Sequence, residues 1–148
     1  QIGGLTTFPT GIPMTALTGG FNSGPDAGLF GPVDRPDRIG DGDLPAGERA
    51  PEKWFDTGAF VPNAPGRFGN AGRNTIIGPG TKQLNLSLNK VFRLSSDGKR
   101  LEFRAQSTNI LNTPNFSGLA TVVDASNYGR LTSAKQMRQF EFQLRVRF

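Results

Sequence analysis

The stretch Gln139–Phe148 reads QFEFQLRVRF. Phe140, Phe142, Leu144, Val146 and Phe148 are apolar, and Glu141, Gln143, Arg145 and Arg147 stand between them. Successive side chains of a strand point to opposite faces, so this is a strand with one apolar and one polar side. It ends on an aromatic residue.

The same alternation recurs upstream. In TKQLNLSLNKVFRL, from Thr81, the residues Leu84, Leu86, Leu88, Phe92 and Leu94 share a face, against Asn85, Ser87, Asn89 and Arg93. Lys90 is the one clear breach. Asp97-Gly98, within Ser95–Lys99, supplies the positive-φ positions of a tight hairpin turn. The return strand LEFRAQSTN sets Leu101, Phe103 and Ala105 against Glu102, Arg104 and Gln106. Asn109, Asn112, Pro114 and Asn115 end it, and a loop over about 116–135 leads to the last strand. Residues 19–80 carry almost no periodicity and read as loop chemistry, with Lys53-Trp54-Phe55 as one local turn. Before them, about 1–9 reads as a strand, which Pro9 and Pro13 turn towards irregular or edge structure. The expected strands are therefore about 1–9, 81–94, 100–110 and 136–148.

Gly 20 and Pro 11 in 148 residues, with only 35% hydrophobic residues, suit short strands and loops better than helices. His 0 and Cys 0 remove the imidazole relay, the thiolate nucleophile and the Cys/His zinc site. Neither an enzyme nor a cofactor is expected. The net charge of +5 raises nucleic acid as a partner. The basic residues are scattered along the chain, however, and a nucleic-acid footprint clusters on one face, so none is expected. No run approaches the ~20 apolar residues of a membrane-spanning helix.

Alternation alone also fits a soluble sandwich. The apolar faces here are rich in Leu and Phe with almost no interruption, as a lipid-facing surface requires. The opposite faces carry Arg, Glu, Asn and Gln, which suits a lumen. A long loop, a tight turn and another long loop follow one another, the arrangement of an outer-membrane barrel with long extracellular loops. The fold class expected is all-β: antiparallel strands of a transmembrane β-barrel. Roughly four strands cannot close such a barrel, whose minimum is about eight, and open edges cannot face lipid. The chain is therefore expected to be part of a longer one, or to associate with other copies.

Over Trp54–Phe148 especially, the chain resembles the C-terminal part of TonB-dependent outer-membrane receptors of Gram-negative bacteria. The likeness is to the large type with an N-terminal carboxypeptidase-regulatory-like domain. Its motifs are the Trp54-Phe55 loop start, Gly69-Asn70-x-Gly72-Arg73-Asn74, Asn109-x-x-Asn112-x-Pro114-Asn115-Phe116, and Phe148. Ser107-Thr108 depart from it, since relatives tend to carry aromatics there. The resemblance implies a plugged barrel of about 22 strands, of which this is the last four or so. It implies energised uptake of a scarce nutrient, with outer-membrane lipid, lipopolysaccharide and the outer-membrane assembly machinery as partners. The TonB complex would act through an N-terminal plug that these residues do not include. Phe140, Phe142, Leu144, Val146 and Phe148 match the alternating, aromatic-ended signal read by that assembly machinery. They also suffice as plain lipid contacts. The competing class is a secreted or self-assembling β-rich module whose open edges pair between copies.

Weaker readings concern the loops. Asp37, Asp41, Gly42, Asp43 and Glu48 fall at calcium-loop positions, but Ile39 sits where an oxygen ligand belongs, so solvated acids are the better reading. Gly78-Pro79-Gly80-Thr81-Lys82 lacks the order of a phosphate loop and reads as a turn into the strand. Arg67, Arg73 and Arg130 offer contacts to an anionic ligand or to loop carbonyls. Trp54, Phe55, Phe60 and Phe68 read as the loop's own small core before a sugar platform. Glu102 and Glu141 lie on polar faces, without the pocket a glycosidase needs.

Overall fold

The computed structural model describes residues 1–20, 23, 34–94 and 98–148. Among them lie ten strands and no α-helix. In chain order they are β1 (Ile2–Thr7), β2 (Pro13–Met14), β3 (Asp37–Arg38), β4 (Phe60–Val61), β5 (Ile76–Ile77), β6 (Gln83–Arg93), β7 (Arg100–Thr108), β8 (Phe116–Leu119), β9 (Leu131–Ala134) and β10 (Gln139–Arg147). The chain divides into two compact units, one of residues 1–9, 81–115 and 135–148, the other of 10–80 and 116–134.

The first unit is a four-stranded antiparallel sheet in the order β1-β6-β7-β10. Its long strands arise where alternation is strictest. β6 has 11 residues, and β7 and β10 have 9 each. At about 3.3 Å per residue β6 runs roughly 36 Å, which a tilt of about 40° brings near the height of an outer-membrane apolar band. Gly98 has φ 89, as the hairpin reading requires of its glycine. Asp97 and the serines before it lie outside the described residues.

Beyond β7 the Asn109–Asn115 segment holds three strands in place. Asn109 and Asn112 have φ of 50° and 53°, the left-handed region that asparagine tolerates better than other non-glycine residues. Asn112 N–H donates to the Asn109 carbonyl at 2.8 Å, closing a tight turn. Asn109 is 1% exposed. Its side-chain oxygen accepts from Thr113 N–H at 3.1 Å, and its amide donates to the Thr113 carbonyl at 2.9 Å. Its backbone N–H donates to Asn85 Oδ1 of β6 at 3.0 Å. Asn115 exchanges two bonds with the Lys82 backbone, at 2.7 and 3.0 Å, as a paired strand would. Asn112 Oδ1 accepts from Arg138 N–H at 3.1 Å, just before β10. These asparagines answer backbone groups that the ladder leaves without partners.

The second unit corrects the reading of 19–80 and 116–135 as loop throughout. It has three two-stranded sheets, β2-β5, β3-β4 and β8-β9, and a buried core of Ala16, Phe55, Ala59, Phe60, Ala71, Ile76 and Leu119. Phe55 meets Phe60 and Tyr128 edge-on, with ring centroids 6.1 and 5.3 Å apart. Fully burying such side chains contributes about 1.5–3 kcal/mol each, which is how so little regular structure holds together. Periodicity missed the unit because strands of two to four residues show too few alternations to count. The Gly69–Asn74 motif serves this packing. A Cβ on Gly69 would lie 2.0 Å from the Arg35 carbonyl oxygen, so the two backbone segments touch only because the residue is glycine. Asn70 Oδ1 then accepts from Arg38 N–H at 2.6 Å, and Asn74, at φ 57, donates its N–H to Thr15 Oγ1 at 3.0 Å.

Candidate functional site

The register of the four-stranded sheet sorts its side chains into two faces. Row by row, Leu86 stands beside Ser107 and Phe140; Leu88 beside Ala105 and Phe142; Lys90 beside Phe103 and Leu144; Phe92 beside Leu101 and Val146. Ile2 of β1 continues the Leu88 row. Phe142 stacks on Phe103 and on Phe140, with centroids 6.4 and 6.3 Å apart. These side chains cover no core. Phe142 is 68% exposed, and Ile2, Leu86, Leu88, Phe92, Phe140, Leu144 and Val146 are also exposed. A patch of this size on a soluble protein would be an association or aggregation liability. Facing hydrocarbon, it is the required surface.

The residues expected to form the terminal signal lie where alternation put them. Phe140, Phe142, Leu144 and Val146 share the apolar face of β10. Phe148 follows the strand's last residue and is 96% exposed. Lys90 interrupts the same face with its ammonium over the Phe92 ring, 5.8 Å from the centroid. Phe92 is one step nearer the strand end, so the charge is carried towards the sheet's margin, as long cationic side chains do at membrane interfaces.

Ser107 and Thr108 part company in the sheet. Ser107 lies on the apolar face and Thr108 on the polar one. With Ala105, Ser107 leaves an apolar groove of about 290 Å³ between Leu86, Leu88, Phe140 and Phe142. The Ser107 hydroxyl is buried and has no hydrogen-bond partner among the described residues.

The opposite face is polar. Ser87 stands beside Gln106 and Glu141; Asn89 beside Arg104 and Gln143; Val91 beside Glu102 and Arg145; Arg93 beside Arg100 and Arg147. Glu102 pairs with Arg147 at 3.1 Å. Glu102 and Glu141 stand two rows apart on this polar face.

In the other unit the acids at calcium-loop spacing have separate partners. Asp37 binds Arg67 and accepts from Asn70 N–H at 3.2 Å; Asp41 pairs with Arg38 at 2.8 Å; Asp43 approaches Arg49 at 4.0 Å. Gly78 N–H donates to the Ile12 carbonyl at 3.0 Å, which carries the β2–β5 pairing one residue further. Phe55 and Phe60 are core, and Trp54 packs against it with its indole N–H on the Ile77 carbonyl at 2.9 Å. Phe68 departs from that reading, being 80% exposed.

Tyr128 is the residue of this unit that the sequence did not single out. Its hydroxyl is buried without a hydrogen-bond partner among the described residues. Burial first, and then the Asp56 carboxylate, push the phenol well above its ordinary 10.0. The folded state thus keeps a proton that the unfolded chain releases above about pH 10. Stability from this residue is full below that pH and falls as pH rises towards the folded value. Tyr128→Phe is expected to be no less stable than wild type near neutral pH and to lose less stability between about pH 9 and 11.5. Denaturant unfolding followed by Trp54, the single tryptophan, measures both.

A two-faced antiparallel wall, apolar where it would meet lipid and polar behind, defines a class of membrane β-structure. The chain belongs to the outer membrane beta barrel domain family, whose model matches residues 1–141. No curated protein and no solved structure matches it. Family and sheet together place it in the outer membrane as part of a barrel wall.

Proposed function

We propose that this wall belongs to a TonB-dependent transporter and forms about four strands of a barrel of roughly 22. On this reading it contributes no catalysis. It lines a plugged lumen through which a scarce nutrient is taken up at the expense of the TonB complex. The observation that supports it most is the two-faced sheet joined to the asparagine motif of residues 109–115. Lipid and lipopolysaccharide would meet the apolar face, and the outer-membrane assembly machinery would engage β10 and Phe148.

The test is nutrient-limited growth of the source cells, with and without the gene, repeated in cells lacking the TonB complex. Loss of uptake of the same nutrient in both backgrounds is the expected result. Gene-dependent uptake that persists without the TonB complex would leave a barrel wall but remove the energised transporter.

A second reading rests on the outer edges of β1 and β10, which pair with no strand among the described residues. Open edges either continue into further strands or pair with other copies. Circular dichroism and size-exclusion of the 148-residue chain separate these cases. β-structure that forms only in detergent supports the wall, whereas ordered filaments in plain buffer support self-assembly.

A further inference from the structure

The register gathers arginines that are scattered along the sequence. On the polar face Arg93, Arg100 and Arg147 stand in one row across three neighbouring strands, and Arg104 and Arg145 lie within the next two rows. Strands are about 4.8 Å apart, so these charges sit well inside a Debye length of one another. Like charges directly opposite are destabilising, and the fold has placed three together. Glu102 is the only carboxylate among the described residues of these rows, and Arg147 already holds it. The side chains of Arg93, Arg100 and Arg145 make no hydrogen bond or ion pair among the described residues. Beside them Asn89, Glu102, Arg104, Gln143 and Arg145 line a groove of about 300 Å³, near the lower size of small-ligand sites.

We infer that this end of the polar face is a binding site for a water-soluble, multiply charged oxyanion of the phosphate type. The guanidinium fork matches phosphate oxygens two at a time, and adjacent strands present several forks to one ligand. Glu102 is the one carboxylate among the lining residues of the groove, and its ion pair with Arg147 offsets that charge. Lipid headgroups are the wrong source, because these arginines project from the side opposite Leu101, Phe92 and Val146. The inference depends on the sheet and its register, not on energised transport, so the two can fail separately.

The test titrates pyrophosphate into the full-length protein in detergent at about 0.15 M salt, by calorimetry. Saturable binding is expected, weakened at least about tenfold in R100Q/R145Q, since charge-assisted bonds carry it. R100K should bind more weakly than wild type yet better than R100Q, because it keeps the charge and loses the fork. R73Q, in the other unit, should match wild type. A second readout excludes a purely structural role: without ligand R100Q/R145Q should melt no lower than wild type, and pyrophosphate should raise the melting temperature of wild type only. Equal binding by wild type and R100Q/R145Q, or none by either, would overturn the site. So would displacement of pyrophosphate by lipopolysaccharide, or by an acidic peptide binding far more tightly, since each would name a different occupant.

Discussion

Phe142→Arg is expected to destabilise the protein in a lipid bilayer by about 2–4 kcal/mol, the cost of a cationic side chain near the midplane of a lipid-facing strand. Phe142 lies near the middle of β10, stacks on two phenylalanines and faces away from the polar rows. Glu141→Arg, one residue away at the same depth, points to the other side and should change stability by less than about 1 kcal/mol. Denaturant unfolding in vesicles gives both values. The pair is diagnostic because a soluble sheet predicts another outcome. There, a charge replacing an exposed phenylalanine would be nearly neutral and would improve solubility. Two equal, small effects would mean that the apolar face does not meet hydrocarbon.

Asn109→Ala should cost about 2–5 kcal/mol, from two sources. The half-buried Thr113 N–H loses its side-chain partner, at about 1–3 kcal/mol, while the Thr113 carbonyl keeps the Asn115 amide at 3.3 Å. Alanine at φ 50 adds about 1–2 kcal/mol of left-handed strain. Asn109→Gly separates the two, since glycine relieves the strain but leaves the Thr113 N–H unpaired, and it should recover only the strain part. Asn112→Gly should be the mildest, because Asn112 offers a single side-chain bond, to Arg138 N–H. Unfolding free energies and the hydrogen-exchange rate of the Thr113 amide check the series. A loss below about 1 kcal/mol in Asn109→Ala would mean that the turn is held by the strands it joins and not by this side chain.

The asparagine motif shows what a resemblance contributes and where it stops. The residues at 109, 112 and 115 stand out as a pattern, but a pattern does not say what they hold. The structure makes Asn115 a stand-in strand partner for Lys82, 33 positions away. Asn109 becomes a buried bracket around Thr113. Gly69 likewise reads only as a turn former until the Arg35 carbonyl is found against it.

Some of this protein is determined by local order alone. Alternation with a period of two assigns every side chain of β6, β7 and β10 to a face, because strand geometry turns successive residues to opposite sides whatever the partner strand is. The membrane-facing surface, its Lys90 breach and the all-β class follow from that. Other properties depend on which residue stands beside which across strands, and no window of sequence contains that. The core of residues 10–80 and 116–134 comes from apolar residues too far apart to form a period. Ser107 is a polar interruption whose hydroxyl becomes buried only once Leu86 and Phe140 flank it. The arginine rows are scattered charges in the sequence. They become one concentrated field because a hairpin and a returning strand bring positions 93, 100 and 147 side by side, at distances where Coulomb interactions are strong.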